Sequence, residues 1–256
     1  MVYYNSVNSV RRELMSKFKR TVCSVVGIMM TGVTIAASYY FSAAEVNRTK
    51  YPVFGVDVSN YQGIVNWNVL DEQNVKFAFV KATEGSGYID KSAARNLRDA
   101  SETDILVSAY HFFSFDSSGE TQAENFITVV DADAIDMPPV VDIEYYGDKK
   151  KNKPSAEEAE EILRPLLERL EKHYGCKPII YTTLPVYFRY VKEEFSDYPL
   201  WIRSVNGEPD LIEWEFWQYS DKGVLDGYYG EEKCIDFNVY NGSEEEFYAQ
   251  YGRNIR

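Results

Sequence analysis

The sequence predicts an α/β fold, a TIM-like barrel of five β/α units followed by three mostly antiparallel strands, (β/α)5(β)3. Eight apolar runs of strand length recur between residues 52 and 250. Segments of helical period separate the first five runs from their successors. Only short, turn-rich stretches join the last three. Strands alternating with helices imply a mostly parallel sheet, because each parallel step needs a crossover connection.

Taken in order, the strands are expected at Val53–Ser59, Lys76–Thr83, Ile105–Phe113, Pro139–Glu144, Pro178–Thr182, Leu200–Val205, Glu215–Ser220 and Ile235–Tyr240. Helices are expected around 66–74, 90–103, 119–131, 155–174 and 185–195. The fourth has the clearest signature. Ser155 with Glu158 three residues on forms a capping box, and Ile162, Leu163, Leu166, Leu167 and Leu170 keep one face apolar. Gly175 ends it, and Pro165 is expected to kink it. After the sixth strand the links, such as Asn206-Gly207-Glu208-Pro209 and Asp226-Gly227, are too short for crossover helices and imply antiparallel pairing. The chain ends soon after the eighth strand, so no separate wall-anchoring domain is expected.

The chain has 256 residues, 45% of them hydrophobic and 15% aromatic, enough for a sizeable core. Its net charge of -13 argues against nucleic acid as a partner, since phosphate recognition depends on clustered Lys and Arg. The charge is unevenly spread: residues 1–44 carry a net +4, leaving -17 on residues 45–256. The basic cluster Arg11, Arg12, Lys17, Lys19 and Arg20 precedes a stretch from Thr21 to Ala44 without a charged side chain. Two readings fit: a signal peptide cleaved after Ala44, or an uncleaved anchor crossing the membrane through about residues 22–41. Both export the remainder to the outer face of the cytoplasmic membrane or beyond. Residues 45–51 then form a short linker, 52–250 the barrel and 251–256 a tail. Cys176 and Cys234 fall on segments that need not be neighbours, and with only two histidines neither a disulfide framework nor a His-rich metal site is expected. No cofactor is expected, and the barrel is expected to act as a monomer.

In parallel β/α barrels the chemistry stands at the carboxyl ends of the strands. Here those ends read Asp57-Val58-Ser59, Lys81-Ala82-Thr83-Glu84-Gly85, Tyr110-His111-Phe112, Asp142-Ile143-Glu144, Tyr181-Thr182, Trp201 to Arg203, Trp217-Gln218-Tyr219 and Asp236-Phe237-Asn238. The fourth is the most informative. Residues i and i+2 of a strand share a face, so Asp142 and Glu144 both point into the mouth, their Cα atoms roughly 6.5 Å apart. Two acids that close repel when both ionise, which raises one pKa and keeps a proton available near neutral pH. That is the requirement for a general acid.

Taken singly, each group also has a structural use. Asp57 can cap the following turn, Glu84 can bind the amides of the Gly85-Ser86-Gly87 loop, and Asp236 can pair with Lys81 or Arg203. Five carboxylates converging on one mouth are harder to explain that way, since unpaired like charges destabilise a site. Tyr110, Tyr145, Tyr181 and Trp201, with Glu84, His111 and Gln218, are the candidate substrate contacts. A lone His after an aromatic is more often packed and hydrogen-bonded. The lysine run from Lys149 to Lys153 sits on the rim after the fourth strand, where it can touch an anionic polymer or remain a solvated loop.

Phe54-Gly55-Val56-Asp57-Val58-Ser59, Phe79-Val80-Lys81-Ala82-Thr83-Glu84-Gly85, Tyr110-His111-Phe112, Val141-Asp142-Ile143-Glu144, Trp217-Gln218-Tyr219-Ser220 and Asp236-Phe237-Asn238 together resemble glycoside hydrolase family 25, the Chalaropsis-type lysozymes. The resemblance spans about residues 52–250. It implies N-acetylmuramidase activity, cleavage of the β-1,4 bond between N-acetylmuramic acid and N-acetylglucosamine in peptidoglycan glycan strands. It also implies Glu144 as proton donor, Asp142 as partner acid, Asp57 and Asp236 as further mouth aspartates, and Glu84 as the acid closing the second strand. Leu200-Trp201-Ile202-Arg203-Ser204-Val205 departs from a common family pattern, which bears on sugar contacts. Two other readings stay open: a non-catalytic wall-binding module, and a glycosidase acting on another N-acetylated glucan. Retention through acetamido assistance and inversion by water are equally open.

Overall fold

The computed structural model describes residues 46 and 48–252. The basic and apolar segments expected within 1–44 lie outside the described residues, as does most of the tail. Among the described residues no helix is long and apolar enough to cross a membrane.

Nine strands form one sheet: β1 (Phe54–Val58), β2 (Phe77–Glu84), β3 (Tyr88–Ile89), β4 (Leu106–Phe112), β5 (Val140–Ile143), β6 (Ile179–Thr183), β7 (Leu200–Arg203), β8 (Phe216–Gly223) and β9 (Ile235–Tyr240). Their order is β1-β9-β8-β7-β6-β5-β4-β2-β3, and the further β1–β2 pairing closes an eight-stranded barrel with β3 folded back on β2. Every expected strand is present within a few residues. The two-residue β3 was not anticipated, because nothing that short has a readable period.

β1, β2, β4, β5 and β6 are parallel and carry helices between them, at Trp67–Glu72, Ala93–Ser101, Gly119–Val129 and Ala156–Tyr174. The expected capping box of Ser155 and Glu158 starts the last of these, Gly175 in the left-handed conformation ends it, and Pro165 lies inside it without ending it. The expected 185–195 helix is a short α turn, Leu184–Val186, continued by a π turn, Tyr187–Val191.

Two expectations about the end of the barrel are corrected. β7 and β8 are parallel, not antiparallel; of the eight barrel strands described, β9 alone runs against its neighbours, β8 and β1. The stretch from 204 to 215 returns the chain without a helix. Extended chain spans about 3.3 Å per residue, so a dozen residues outreach a four-residue strand even in irregular form. Helices also do not stop after the sixth strand. Glu244–Tyr251 follows β9, started by a capping box of Ser243 and Glu246.

Two apolar layers result. One lies between barrel and helices and includes Val141, Ile143, Leu163 and Leu166. The other fills the barrel interior with Phe77, Phe79, Leu106, Val140, Trp201 and Phe216, closed from below by Phe247 and Tyr251 of the last helix. Gly55 on β1 faces this plug, where a Cβ would sit 2.4 Å from the Phe77 ring. The missing side chain is what lets the ring cross the barrel axis.

Candidate active site

Above the aromatic plug, the inward positions of the same strands turn polar and line a cleft of about 360 Å³. Asp57, Asp142, Glu144, Asp236, Tyr110, Tyr181, Trp201 and Gln218 all line it, so eight of the eleven expected site residues meet there. Val141 and Ile143 are buried on the helix side, as the strand alternation requires.

Asp142 is 7% exposed, and its Oδ1 atom has no hydrogen-bond partner. Burial, and then the neighbouring Glu144, hold its carboxyl well above the usual range. Glu144 is less buried and is also raised by desolvation, though Arg203, Lys150 and Lys81 pull it back. Burial favours the protonated form of both acids and the neighbouring Glu144 adds to this at Asp142, with Glu144 the more accessible of the two in the cleft.

Asp57 and Asp236 lie directly opposite each other on β1 and β9. Asp57 Oδ2 accepts hydrogen bonds from Gln218 Nε2 and Asn238 Nδ2, both at 2.8 Å. Each amide is itself oriented by an aromatic donor. Tyr181 Oη donates to Gln218 Oε1 at 2.8 Å, and Trp201 Nε1 donates to Asn238 Oδ1 at 2.8 Å. Two aimed donors on one oxygen favour the ionised form of Asp57, against the burial that raises its pKa. Asp236 is pushed up to about 9, by burial first and by Asp57 second. The two aspartates share one proton, and the amide donors leave it on Asp236. The structural uses open to these acids are not the ones found. Ser59, not Asp57, caps the turn after β1, and Arg203 pairs with Asp221 at 2.7 Å instead of Asp236.

Three expected contacts lie elsewhere. His111 is fully buried behind the barrel wall, with Nδ1 2.7 Å from Thr83 Oγ1 and Nε2 3.0 Å from Gln122 Oε1. Gln122 Oε1 also accepts from Ser114 N–H, so it faces His111 as an acceptor; Nε2 donates and Nδ1 accepts. Burial lowers the pKa of His111 to about 4, and the neutral ring ties β4 to β2 through Thr83 and to the Gly119–Val129 helix through Gln122. Tyr145 packs edge-on against Tyr190 at 5.9 Å, with Lys153 Nζ 4.8 Å above its ring. Glu84 sits above the rim, paired with Lys81 at 2.8 Å, and it is Lys81 that lines the cleft.

The cleft also holds residues the sequence did not single out. Lys81 and Phe112 follow Phe79 and Tyr110 at spacings of two, a signal that was available. Tyr61 and Gln62 come from a single 3-10 turn, Asn60–Gln62, and Glu232 from a loop, all too short to show a period. In the lysine loop, Lys149 pairs with Asp116 at 2.6 Å, and Lys150 acts on Glu144 through its charge. Cys176 and Cys234 are both free.

A closed β/α barrel with acids gathered at the carboxyl rim of its strands, beside an open cleft, is the construction of a glycoside hydrolase. Residues 56–228 match glycosyl hydrolases family 25. The chain belongs to that family. It is 48% identical to a family 25 glycosyl hydrolase from Bacillus anthracis, whose structure overlays with a TM-score of 0.75 across 81% of this chain and 96% of that one. It is 36% identical over 207 residues to the uncharacterized protein YegX of Escherichia coli (strain K12), covering 78% of this chain and 73% of YegX. It is 29% identical over 210 residues to lysozyme M1 of Streptomyces globisporus, covering 75% of this chain and 68% of that protein.

Proposed function

We propose that this barrel is a peptidoglycan-degrading muramidase that hydrolyses the β-1,4 bond between N-acetylmuramic acid and N-acetylglucosamine. The observation that carries the reading is the Asp142–Glu144 pair: two acids on one strand, both with raised pKa, in the cleft of a family 25 barrel. Glu144, the more accessible, delivers its proton to the glycosidic oxygen. Asp57, ionised and fixed by two amides, faces the positive charge that develops on the sugar ring. The unpartnered Oδ1 of Asp142 suits the substrate's 2-acetamido group, whose carbonyl then acts as nucleophile. Asp236 holds its proton and keeps Asp57 from being one of two adjacent anions.

Exported through the segment at 22–41, the enzyme would meet its polymer at the cell wall and work there as a monomer. Incubating the purified protein with peptidoglycan should release new reducing ends. Mass spectrometry of the products should find N-acetylmuramic acid at those ends. Binding without new ends would return the protein to a wall-binding module, and N-acetylglucosamine at the ends to another glycosidase. NMR of the first-formed anomer should show retention, and inversion would exclude acetamido assistance.

A further inference from the structure

A second concavity of about 580 Å³ adjoins the cleft, and Tyr61 lines both. Two loops and the start of the Ala93–Ser101 helix build it, and backbone contacts pin the two loops together. Tyr229 N–H donates to Ile64 O at 3.0 Å, and Glu232 N–H donates to Tyr61 O at 3.1 Å. Gly63, at φ +69°, lies against Gly230; a Cβ on either would come within 2.6 Å of the opposite backbone. The buried Asp90, just before that helix, binds it to the first loop by accepting from Asn60 N–H at 3.0 Å and Asn60 Nδ2 at 2.8 Å. Such a floor cannot relax inward, so the hollow is a fixed shape and not a gap between mobile loops.

Its walls carry two exposed tyrosines, Tyr61 and Tyr229, at 60% and 73%. They also carry the cations Lys91 and Arg95. Lys91 is exposed and has no carboxylate partner among the described residues. Arg95 spends one terminal nitrogen on Gly63 O at 2.7 Å and Ser92 Oγ at 3.2 Å, and meets no carboxylate among the described residues. Glu231 is the opposing charge on the lining. Asp90 is already engaged, its two oxygens accepting from Asn60 and from Ser92 N–H. On a barrel region carrying -17, a rigid hollow with two cations and two flat rings is a local exception to the field.

We propose that this hollow is a subsite for the carboxylate-bearing peptide stem attached to the glycan strand. The proposal rests on the muramidase reading and names the part of the substrate that reading leaves unplaced. In peptidoglycan the stem hangs from alternate sugars, so a glycan in the cleft presents one beside it. Continuity through Tyr61 puts the hollow within a residue's width of the cleft. The cations take the stem carboxylates, and the tyrosine rings cover its aliphatic parts. A phosphodiester wall polymer shares the negative charge but has no aliphatic side chains to lie on the two exposed tyrosine rings.

The test uses the full chain carrying Glu144→Gln, so that ligands are bound without turnover. Titration calorimetry compares an N-acetylglucosaminyl-N-acetylmuramyl disaccharide bearing a tripeptide with the same disaccharide lacking it. The stem-bearing ligand should bind about three- to fivefold tighter, the range of an exposed ion pair with some ring contact. Adding Lys91→Glu should bring that ratio to about one, and Tyr229→Ala should lower it part way. Both side chains are exposed, and circular dichroism confirms that the variants fold. Equal affinity for the two disaccharides, or a ratio that survives Lys91→Glu, overturns the stem subsite alone. Displacement of the stem-bearing ligand by a glycerol phosphate oligomer at lower concentration than by the free tripeptide overturns it in favour of a wall polymer. No affinity for either disaccharide, together with no reducing ends from the wild type, overturns the muramidase reading and the subsite with it.

Discussion

The lower and upper halves of the barrel interior are built on the same strands, from side chains only two residues apart, and obey opposite rules. Below, Phe77, Phe79 and Phe216 meet edge to face at 5.1 to 5.5 Å, and Trp201 stacks on Phe79 at 4.1 Å. Each buried ring contributes about 1.5–3 kcal/mol, and no polar atom there is left unmatched. Above, Asp57, Asp142, Glu144 and Asp236 are desolvated beside one another, and every one has its pKa raised. That half opposes folding. The lower half supplies the stability that lets the upper half hold protons where a sugar can reach them, as expected where binding and stability compete for the same positions.

The contrast predicts opposite outcomes for single substitutions in the two halves. Glu144→Gln should lower the rate of reducing-end release by about 10²–10⁴-fold, the usual contribution of a general acid, with no loss in melting temperature. Retention of a tenth of the rate would remove Glu144 from that role. Phe216→Ala should do the reverse, destabilising by about 3–5 kcal/mol in urea while the folded fraction keeps its turnover. Asn238→Leu probes the boundary, because it strips one donor from Asp57 and leaves Trp201 Nε1 without its acceptor. A stability loss of about 1–3 kcal/mol together with a fall in turnover is expected. A change in only one of the two would mean that the network serves only one half.

How far each half was legible in the sequence follows from the same alternation. The interior plug and the mouth acids were readable because β strands show parity: Asp142 and Glu144 fall on one face, as Tyr110 and Phe112 do. Applied without exception, that rule also places His111 and Tyr145 on the other side, which is where they lie. Glu84 escapes it, because the β2–β4 register shifts between Lys81 and Thr83, and no local pattern announces a bulge. The parallel β7–β8 pair was hidden for a different reason: a long irregular return has no period at all. The last helix was signalled by Ser243 and Glu246, yet with only Phe247 and Tyr251 buried it shows too narrow an apolar stripe to stand out. The hydrogen-bonded amides of Gln218 and Asn238 were visible as residues but not as a network, since their roles depend on strands distant in sequence.

A pH series tests whether the upper half destabilises through its protons. Asp236 has a folded-state pKa of about 9, above its ordinary value of 3.8. Below about pH 4 the folded and unfolded chains both hold this proton. As pH rises from there, the unfolded chain releases it while the folded chain retains it until about 9, so the rise favours unfolding throughout that window. Asp236→Asn removes the titration and keeps a donor toward Asp57. The variant should therefore gain stability over the wild type as pH rises from 5 to 8, by up to about 1.4 kcal/mol per pH unit, read as a widening gap in melting temperature. At pH 4 the two should nearly coincide. Parallel melting curves across that range would place the shared proton elsewhere, most directly on Asp57, and would then exchange the roles of the two aspartates.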